Sequence, residues 1–568
     1  QYSVTKSDVD SFLAASGRAE FDHRLLISTS DRLASKADST IRHAEKSVST
    51  LRRQDLIDAP VVWPDDPADL SGGGPRVPLS PWPHQQAAID DVATGLVERG
   101  QLLMACGTGK TLTALWATEA LNAQRTLVLL PSLTLLSQTV TEWVANSAES
   151  FSFLPVCSDE TVARGTDAAT MFTSDLQYPV TTDPAEIAEF LSGEGPRVVF
   201  STYQSSPQVA AAQANSSIPA FDLVIADEAH RCAGRVSSDY STVLNADLIR
   251  ASKRLFMTAT PRTFTPRVVK KADDEGIEVA SMDDHTVFGP VLHRLNFSDA
   301  IDQGLLTDYQ VVVVGVDDAR VHELIEQRHL VETDTGVATD AKTLASHVGL
   351  AKAIRDYDLG RVITFHSRIK TATTFANKLP DVVSWMPPDQ RPTGEIVASH
   401  VSGEMSVGQR NTRLDQLRNI EPDQHGVLAN ARCLSEGIDV PALDGVAFID
   451  PRRSQVDIVQ AVGRAIRLSQ DKTVGTILIP VYITNTDDPD TALTESEFEP
   501  VWAVINALRS HDDDLADHVL ERLAAECRRR VGFRRRNLST SPRPRVRFLA
   551  SSLRGWLYVS SYRCRAAR

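Results

Sequence analysis

From Met104 to Thr111 the chain reads Met-Ala-Cys-Gly-Thr-Gly-Lys-Thr, after an apolar run and ahead of Leu112, Leu115 and Trp116, which share a helix face. Glycines at 107 and 109 let main-chain N–H groups turn inward, and the start of a helix adds positive potential there. Gly107, Thr108, Gly109, Lys110 and Thr111 therefore read as a phosphate-binding loop, Lys110 reaching phosphates and Thr111 a Mg²⁺ ion. Met104 stands where such loops usually open on Gly. A second element, Val224-Ile-Ala-Asp-Glu-Ala-His230, puts two carboxylates at the end of an apolar strand, where charge is costly without a partner. Asp227 suits the metal, and Glu228 suits orienting and deprotonating a water. Such a pair alone is common surface decoration; the phosphate loop gives it a purpose. In a third, Gln460-Ala-Val-Gly-Arg-Ala-Ile-Arg467, a helix would place Gln460, Arg464 and Arg467 on one face at i, i+4 and i+7. Two guanidinium forks there suit the charge of a transferring phosphoryl group.

The elements that must position these residues follow from pattern. Apolar strands near 101–105, 126–130, 197–201, 223–226 and 254–257 alternate with helical stretches, and after 266–298 the pattern restarts near 310–316, 361–365, 395–399, 426–428, 446–449 and 476–483. That alternation predicts two successive α/β domains with parallel sheets covered by helices. Ahead of them, residues 7–15, 23–29 and 32–45 read as helix, strand and helix, part of a further α/β domain over 1–58. A breaker-rich linker over 59–83 includes Ser71-Gly-Gly-Gly-Pro75. A helical segment is expected over 486–526.

Composition narrows the class. The 568 residues, 42% hydrophobic and 23% charged, exclude disorder as the main state and exclude collagen-like or coiled-coil architecture. No apolar run approaches the roughly eighteen residues of a membrane span, so no membrane partner is expected. Six cysteines, far apart and without a C-x-x-C pair, argue against a zinc ribbon or disulfide scaffold and for a reducing, cytoplasmic setting. Gln1 reads as an internal residue of a longer protein. The net charge of -15 is an average: residues 527–568 hold thirteen Arg and no Lys, Asp or Glu, which leaves -15 - 13 = -28 for residues 1–526. That tail reads either as a disordered basic arm that strengthens DNA binding or as out-of-frame sequence.

Together the motifs resemble a superfamily 2 helicase of the DEAD/DEAH-box type, most similar to restriction-type DNA motors. Further matches are Pro131-Ser132, Ser201-Thr-Tyr-Gln204, Met257-Thr-Ala-Thr-Pro261, Phe365-His-Ser-Arg368, Ser402-Gly403 and Ser435-Glu-Gly-Ile-Asp439. The resemblance implies two tandem RecA-like domains, 84–298 and 299–485, with ATP and Mg²⁺ bound between them. It implies that Gln85 contacts adenine, with Trp82 where a basic residue is usual. Thr258 and Thr260 would couple hydrolysis to movement, and Gly437 and Asp439 would help close the cleft. Pro131, Ser132, Thr202, Ser367, Arg368 and Ser402 would hold a nucleic-acid strand by its phosphates. The Gly-Thr-Gly-Lys-Thr loop and the Thr-Ala-Thr motif favour DNA, single-stranded or duplex, over RNA. The N-terminal piece resembles the back half of a restriction-endonuclease-like domain whose catalytic residues would lie upstream of Gln1, so Asp8 and Asp10 read as helix N-terminal acids. The function expected is an ATP-dependent DNA helicase or translocase in restriction or phage defence, working with other subunits of such a system. An RNA helicase and a truncated, catalytically silent DNA-binding scaffold are the alternatives.

Overall fold

The computed structural model describes residues 3–158, 172–317, 337–431 and 443–483, with short gaps inside these ranges, and a few positions beyond 483. Gly437, Asp439 and almost all of the segment expected to be helical over 486–526 lie outside the described residues. The chain divides into two compact units: Gln1–Leu295 with Ser406–Gln409, and Asn296–Met405 with Arg410–Arg568.

The first unit begins with a small α/β piece. Helix Lys6–Ala15 starts at Thr5, whose side chain accepts the Asp8 N–H while the Asp8 carboxylate accepts the Thr5 N–H at 2.8 Å. That reciprocal cap satisfies two otherwise orphaned donors and gives Asp8 a structural task. Strand Arg24–Ile27 pairs in parallel with Val48–Leu51, and helix Ser35–Arg42 packs with Val4, Val9 and Val48 through Ala37 and Ile41. The strand at 48–51 is not expected from its sequence, Val-Ser-Thr-Leu, which is short and half polar.

The rest of the first unit is a seven-stranded parallel sheet. Its order is Val291–Leu295, Arg99–Met104, Ala251–Thr258, Phe221–Ala226, Arg125–Leu130, Arg197–Thr202 and Ser152–Val156. The five inner strands are the apolar runs of the sequence; Leu127–Leu130 and Leu223–Ala226, for example, are buried throughout, as helices on both faces require. Both edge strands fall outside the expected pattern. One carries Pro155 and the other His293 and Arg294, residues tolerated where one side of the strand is unpaired.

The small piece rests on this sheet domain at residues 172–177. The Thr50 hydroxyl donates to the Ser174 carbonyl at 2.8 Å, the Arg42 guanidinium lies 3.5 Å over the Phe172 ring, and Arg52 pairs with Asp175. Arg52 and Asp175 are both buried.

In the second unit six parallel strands run in the order Glu395–Ser402, Gln424–Ala431, Arg361–His366, Gly445–Phe448, Val474–Ile483 and Asp308–Asp317. Tyr558–Val559 pairs antiparallel with Val313–Val314 at that edge. The two sheets are the tandem RecA-like architecture expected from sequence. Among the described residues no helix is long and apolar enough to cross a membrane.

Two buried histidines make the second unit acid-sensitive. His347 stacks on Phe375 with ring centroids 4.0 Å apart, and its nitrogens lie 2.8 and 3.0 Å from the carbonyls of Thr343 and Phe375. Burial pushes His347 down to about 4 despite those carbonyls. Burial and then repulsion from His347 push His366 down to about 3. A base held neutral in the fold contributes fully above its unfolded value of about 6.5 and loses that contribution as pH falls below it. Lowering pH from 7.5 to 5.5 is expected to cost the unit up to about 3 kcal/mol, roughly 1.4 per histidine. The check is the denaturant midpoint at both pH values, with about half the change gone in His366→Gln.

Candidate functional site

In an open parallel sheet the carboxyl ends of the strands form the functional edge. Five motifs of the first unit end up there. The phosphate loop follows Arg99–Met104, Thr258 ends the next strand, Asp227 follows the third, Pro131 the fourth, and Thr202 ends the fifth.

The loop has the conformation its glycines allow. Gly107 and Gly109 sit at φ +86° and +85°, in the left-handed region, and Gly109 caps the helix Lys110–Ala120. A Cβ on Gly109 would lie 2.3 Å from the Gln85 amide nitrogen. Lys110 Nζ donates to the Met104 carbonyl at 3.3 Å. The first loop position is thus used through its main chain, which explains why Met serves there in place of Gly. Gln85 donates to the Gly109 carbonyl at 3.3 Å, and its own carbonyl oxygen accepts the Trp82 N–H at 2.9 Å. His84 reaches the Thr108 carbonyl at 3.0 Å through Nε2. Gly109→Ala is expected to displace Gln85 and raise the KM for ATP about tenfold or more, because alanine at this φ costs roughly 1–2 kcal/mol before the clash is counted. Steady-state hydrolysis against ATP concentration measures it.

Asp227 and Glu228 are held by main chain and side chains together. The Asp227 N–H donates to the Leu129 carbonyl at 3.0 Å, and the Glu228 N–H donates to the Asp227 carboxylate at 2.9 Å. Glu228 sits at φ +48°, a conformation that is strained for a residue with a side chain. Its carboxylate accepts from the Thr258 hydroxyl at 3.3 Å, and His230 Nδ1 lies 3.3 Å from it and 3.0 Å from Thr258 Oγ1. Burial alone would raise the Glu228 carboxyl. The His230 hydrogen bond and the positive charges of Lys110 and Arg231 outweigh it and hold Glu228 well below the usual carboxylate range. Thr258 Oγ1 also accepts the Thr260 N–H at 3.0 Å, so the Thr-Ala-Thr motif and the acidic box form one network.

These residues fit a nucleotide with a divalent metal. Two left-handed glycines open the cradle, and a lysine and a helix N-terminus face it. Among the described residues no group of three or more His, Cys, Asp or Glu could hold a metal alone.

The second unit carries the third element on helix Gln455–Ala465, where Gln460 and Arg464 are both buried. Arg467 departs from the expected helix face: the helix ends at Ala465, and Arg467 bridges to Leu306 in extended backbone. The cause is tertiary. The Thr307 N–H and hydroxyl both take the Ile466 carbonyl, at 2.8 and 2.9 Å, the Lys472 ammonium takes that of Ala465, and a Cβ on Gly475 would lie 2.3 Å from the same Ala465 oxygen.

The six strand-contact candidates fall in two sets, one at the carboxyl edge of each sheet. Ser132 caps helix Leu133–Asn146, accepting the Leu135 N–H at 3.3 Å; Pro131 is buried, and Thr202 is 2% exposed. In the second unit Ser367 donates to Asp450, Arg368 is exposed at the start of helix Ile369–Trp385, and Ser402 is buried.

Comparison with known proteins matches this arrangement. Family models match residues 1–68 (restriction endonuclease), 78–263 (type III restriction enzyme, res subunit) and 349–469 (helicase conserved C-terminal domain). The chain is 26% identical over 424 residues to "Probable helicase A859L" of African swine fever virus (isolate Tick/Malawi/Lil 20-1/1983), covering 74% of this chain and 42% of the viral protein. It thus spans less than half the length of the curated relatives it matches. Among solved structures it is similar to the ATP-dependent type ISP restriction-modification enzyme LlaBIII bound to DNA, at TM-score 0.78 and 31% identity over 91% of this chain and 35% of that one. It is also similar to a nuclease-deletion mutant of the type ISP enzyme LlaGI in complex with a DNA substrate mimic, at TM-score 0.53 and 28% identity over 80% of this chain and 32% of that one. The phosphate loop, the acidic box and two RecA-like sheets, with a type III restriction enzyme res-subunit domain and a helicase C-terminal domain behind a restriction-endonuclease-like one, make the chain similar to the superfamily 2 helicases of the restriction type.

Proposed function

We propose that the chain is an ATP- and Mg²⁺-dependent motor that moves along DNA, within a restriction or phage-defence system that supplies further subunits or domains. The observation that carries this reading is the network joining Glu228, His230 and Thr258 at the carboxyl edge of the first sheet, with the Lys110 charge acting on Glu228. Similarity to two restriction enzymes whose structures hold DNA or a DNA mimic favours DNA over RNA.

Bound ATP with Mg²⁺ would supply the phosphoanhydride to be cleaved and the charge that offsets its phosphates. The main-chain N–H groups of residues 107–111 and the Lys110 ammonium bind the phosphates, Thr111 and Asp227 hold the metal, and Gln85 contacts the base. Glu228, ionised and fixed by Thr258 and His230, orients the attacking water and draws off its proton. Arg464 and Arg467 supply positive charge as the phosphoryl group transfers, Gln460 adds a neutral amide donor beside them, and Gly437 and Asp439 take part in closure. Thr258 and Thr260 link the state of Glu228 to movement. Pro131, Ser132, Thr202, Ser367, Arg368 and Ser402 track the strand by its phosphates, so sequence preference is weak.

The test is the ATP hydrolysis rate with no nucleic acid, single-stranded DNA, duplex DNA and RNA. Stimulation by DNA well beyond that by RNA is expected. Equal or greater stimulation by RNA would favour an RNA helicase, and hydrolysis absent under all four conditions would favour a silent scaffold.

A further inference from the structure

Tyr203, inside the Ser201-Thr-Tyr-Gln204 motif, makes a connection to the acidic box that motif spacing does not reveal. It follows Thr202 at the end of its strand, is fully buried, and stacks on Tyr240 with ring centroids 5.3 Å apart and planes at 26°. Its hydroxyl donates to the main-chain carbonyl of Asp227 at 2.6 Å. The two strands concerned are not neighbours; Arg125–Leu130 lies between them, and the phenol spans the gap.

The bond falls at a sensitive point. The Asp227 carbonyl and the Glu228 N–H belong to one planar peptide group. Tyr203 holds its oxygen, and the Asp227 carboxylate holds its N–H at 2.9 Å. The orientation of that plane helps fix where a Glu228 held at φ +48° directs its carboxylate. A left-handed non-glycine residue persists only where its surroundings over-determine it, and Tyr203 is one of the restraints.

The residues flanking Tyr203 are less settled. The Thr202 hydroxyl is buried without a hydrogen-bond partner among the described residues. Gln204 donates to the Tyr240 hydroxyl at 2.6 Å while its carbonyl oxygen has no such partner. Buried polar atoms left unpaired are costly, so a rearrangement that pairs them is favoured.

We propose that Tyr203 is a positioning residue that relays the state of the 201–204 segment to the Asp227–Glu228 peptide, so that nucleic acid engaged at Thr202 sets the geometry of Glu228. The inference rests on the DNA-motor reading and adds to it the physical link between strand and water-activating carboxylate.

Tyr203→Phe keeps the ring and its stacking and removes only the hydroxyl. With saturating duplex DNA its kcat is expected to fall about tenfold, KM for ATP to stay within twofold, and the ratio of DNA-stimulated to unstimulated rate to drop. Tyr240→Phe, which removes the acceptor of Gln204 and keeps the stack, is expected to lower the same ratio and serves as the test if Tyr203→Phe does not fold. A lower unfolding midpoint with kcat and the stimulation ratio unchanged would mark the hydroxyl as merely structural and overturn the relay. An unchanged ratio in Tyr240→Phe would also count against it. Parent hydrolysis that no DNA stimulates would refute the DNA reading, and the relay with it; normal stimulation in both parent and Tyr203→Phe refutes the relay alone.

Discussion

Glu228→Gln is expected to reduce the maximal rate of ATP hydrolysis by about a hundred- to a thousandfold while leaving ATP binding nearly intact, a loss of roughly 3–4 kcal/mol of transition-state stabilisation. Glutamine has the same shape and can still meet Thr258 and His230, each about 3.3 Å from the carboxylate. What it cannot do is take a proton from water. The expected pattern is therefore a fall in kcat with KM little changed, which is what loss of an interaction made only in the transition state produces. Lys110→Ala should lose both rate and affinity, since a lysine that reaches phosphates binds substrate as well as transition state. Steady-state hydrolysis, with a fluorescent nucleotide to measure affinity, distinguishes the two variants. A Glu228→Gln enzyme within threefold of the parent rate would remove Glu228 from the chemistry.

Asp175→Ala is expected to destabilise the first unit by about 3–5 kcal/mol, because it leaves the buried Arg52 guanidinium without its partner. The loss should be local. The Asp175 carboxylate also accepts the Phe172 N–H at 3.0 Å, and Thr50 and Arg42 grip the same short segment at Ser174 and Phe172, so the contact loosens as a whole. Limited proteolysis should then cut within residues 1–58 first, and ATP hydrolysis by the motor domains should persist. Replacing both partners, Arg52→Met with Asp175→Leu, is expected to recover most of the stability, since no charge is then left buried. A double variant as unstable as the single one would mean that Arg52 stabilises the fold through other contacts.

The parts legible in sequence are those fixed by local rules. The phosphate loop could be read because its glycines answer a main-chain requirement, and the inner strands because a strand buried on both faces must be an unbroken apolar run. The edge strands Ser152–Val156 and Val291–Leu295 escaped because an edge tolerates proline, histidine and arginine. Arg467 was misplaced because helix periodicity knows nothing of Thr307, which ends the turn by taking the Ile466 carbonyl. The contacts of His84 and Tyr203 escape sequence for a related reason: each reaches a main-chain carbonyl 24 residues away, of Thr108 and Asp227, and no spacing rule encodes such a contact. Sequence marks the motif residues, and long-range contacts decide which others hold them in place.

If hydrolysis drives movement along DNA, the chain displaces a triplex-forming strand from a duplex. Displacement is expected to require ATP and Mg²⁺, to take longer as the duplex between loading site and triplex lengthens, and to be absent in Lys110→Ala. Vigorous DNA-stimulated hydrolysis without displacement, or displacement that Lys110→Ala carries out equally well, would contradict movement driven by hydrolysis.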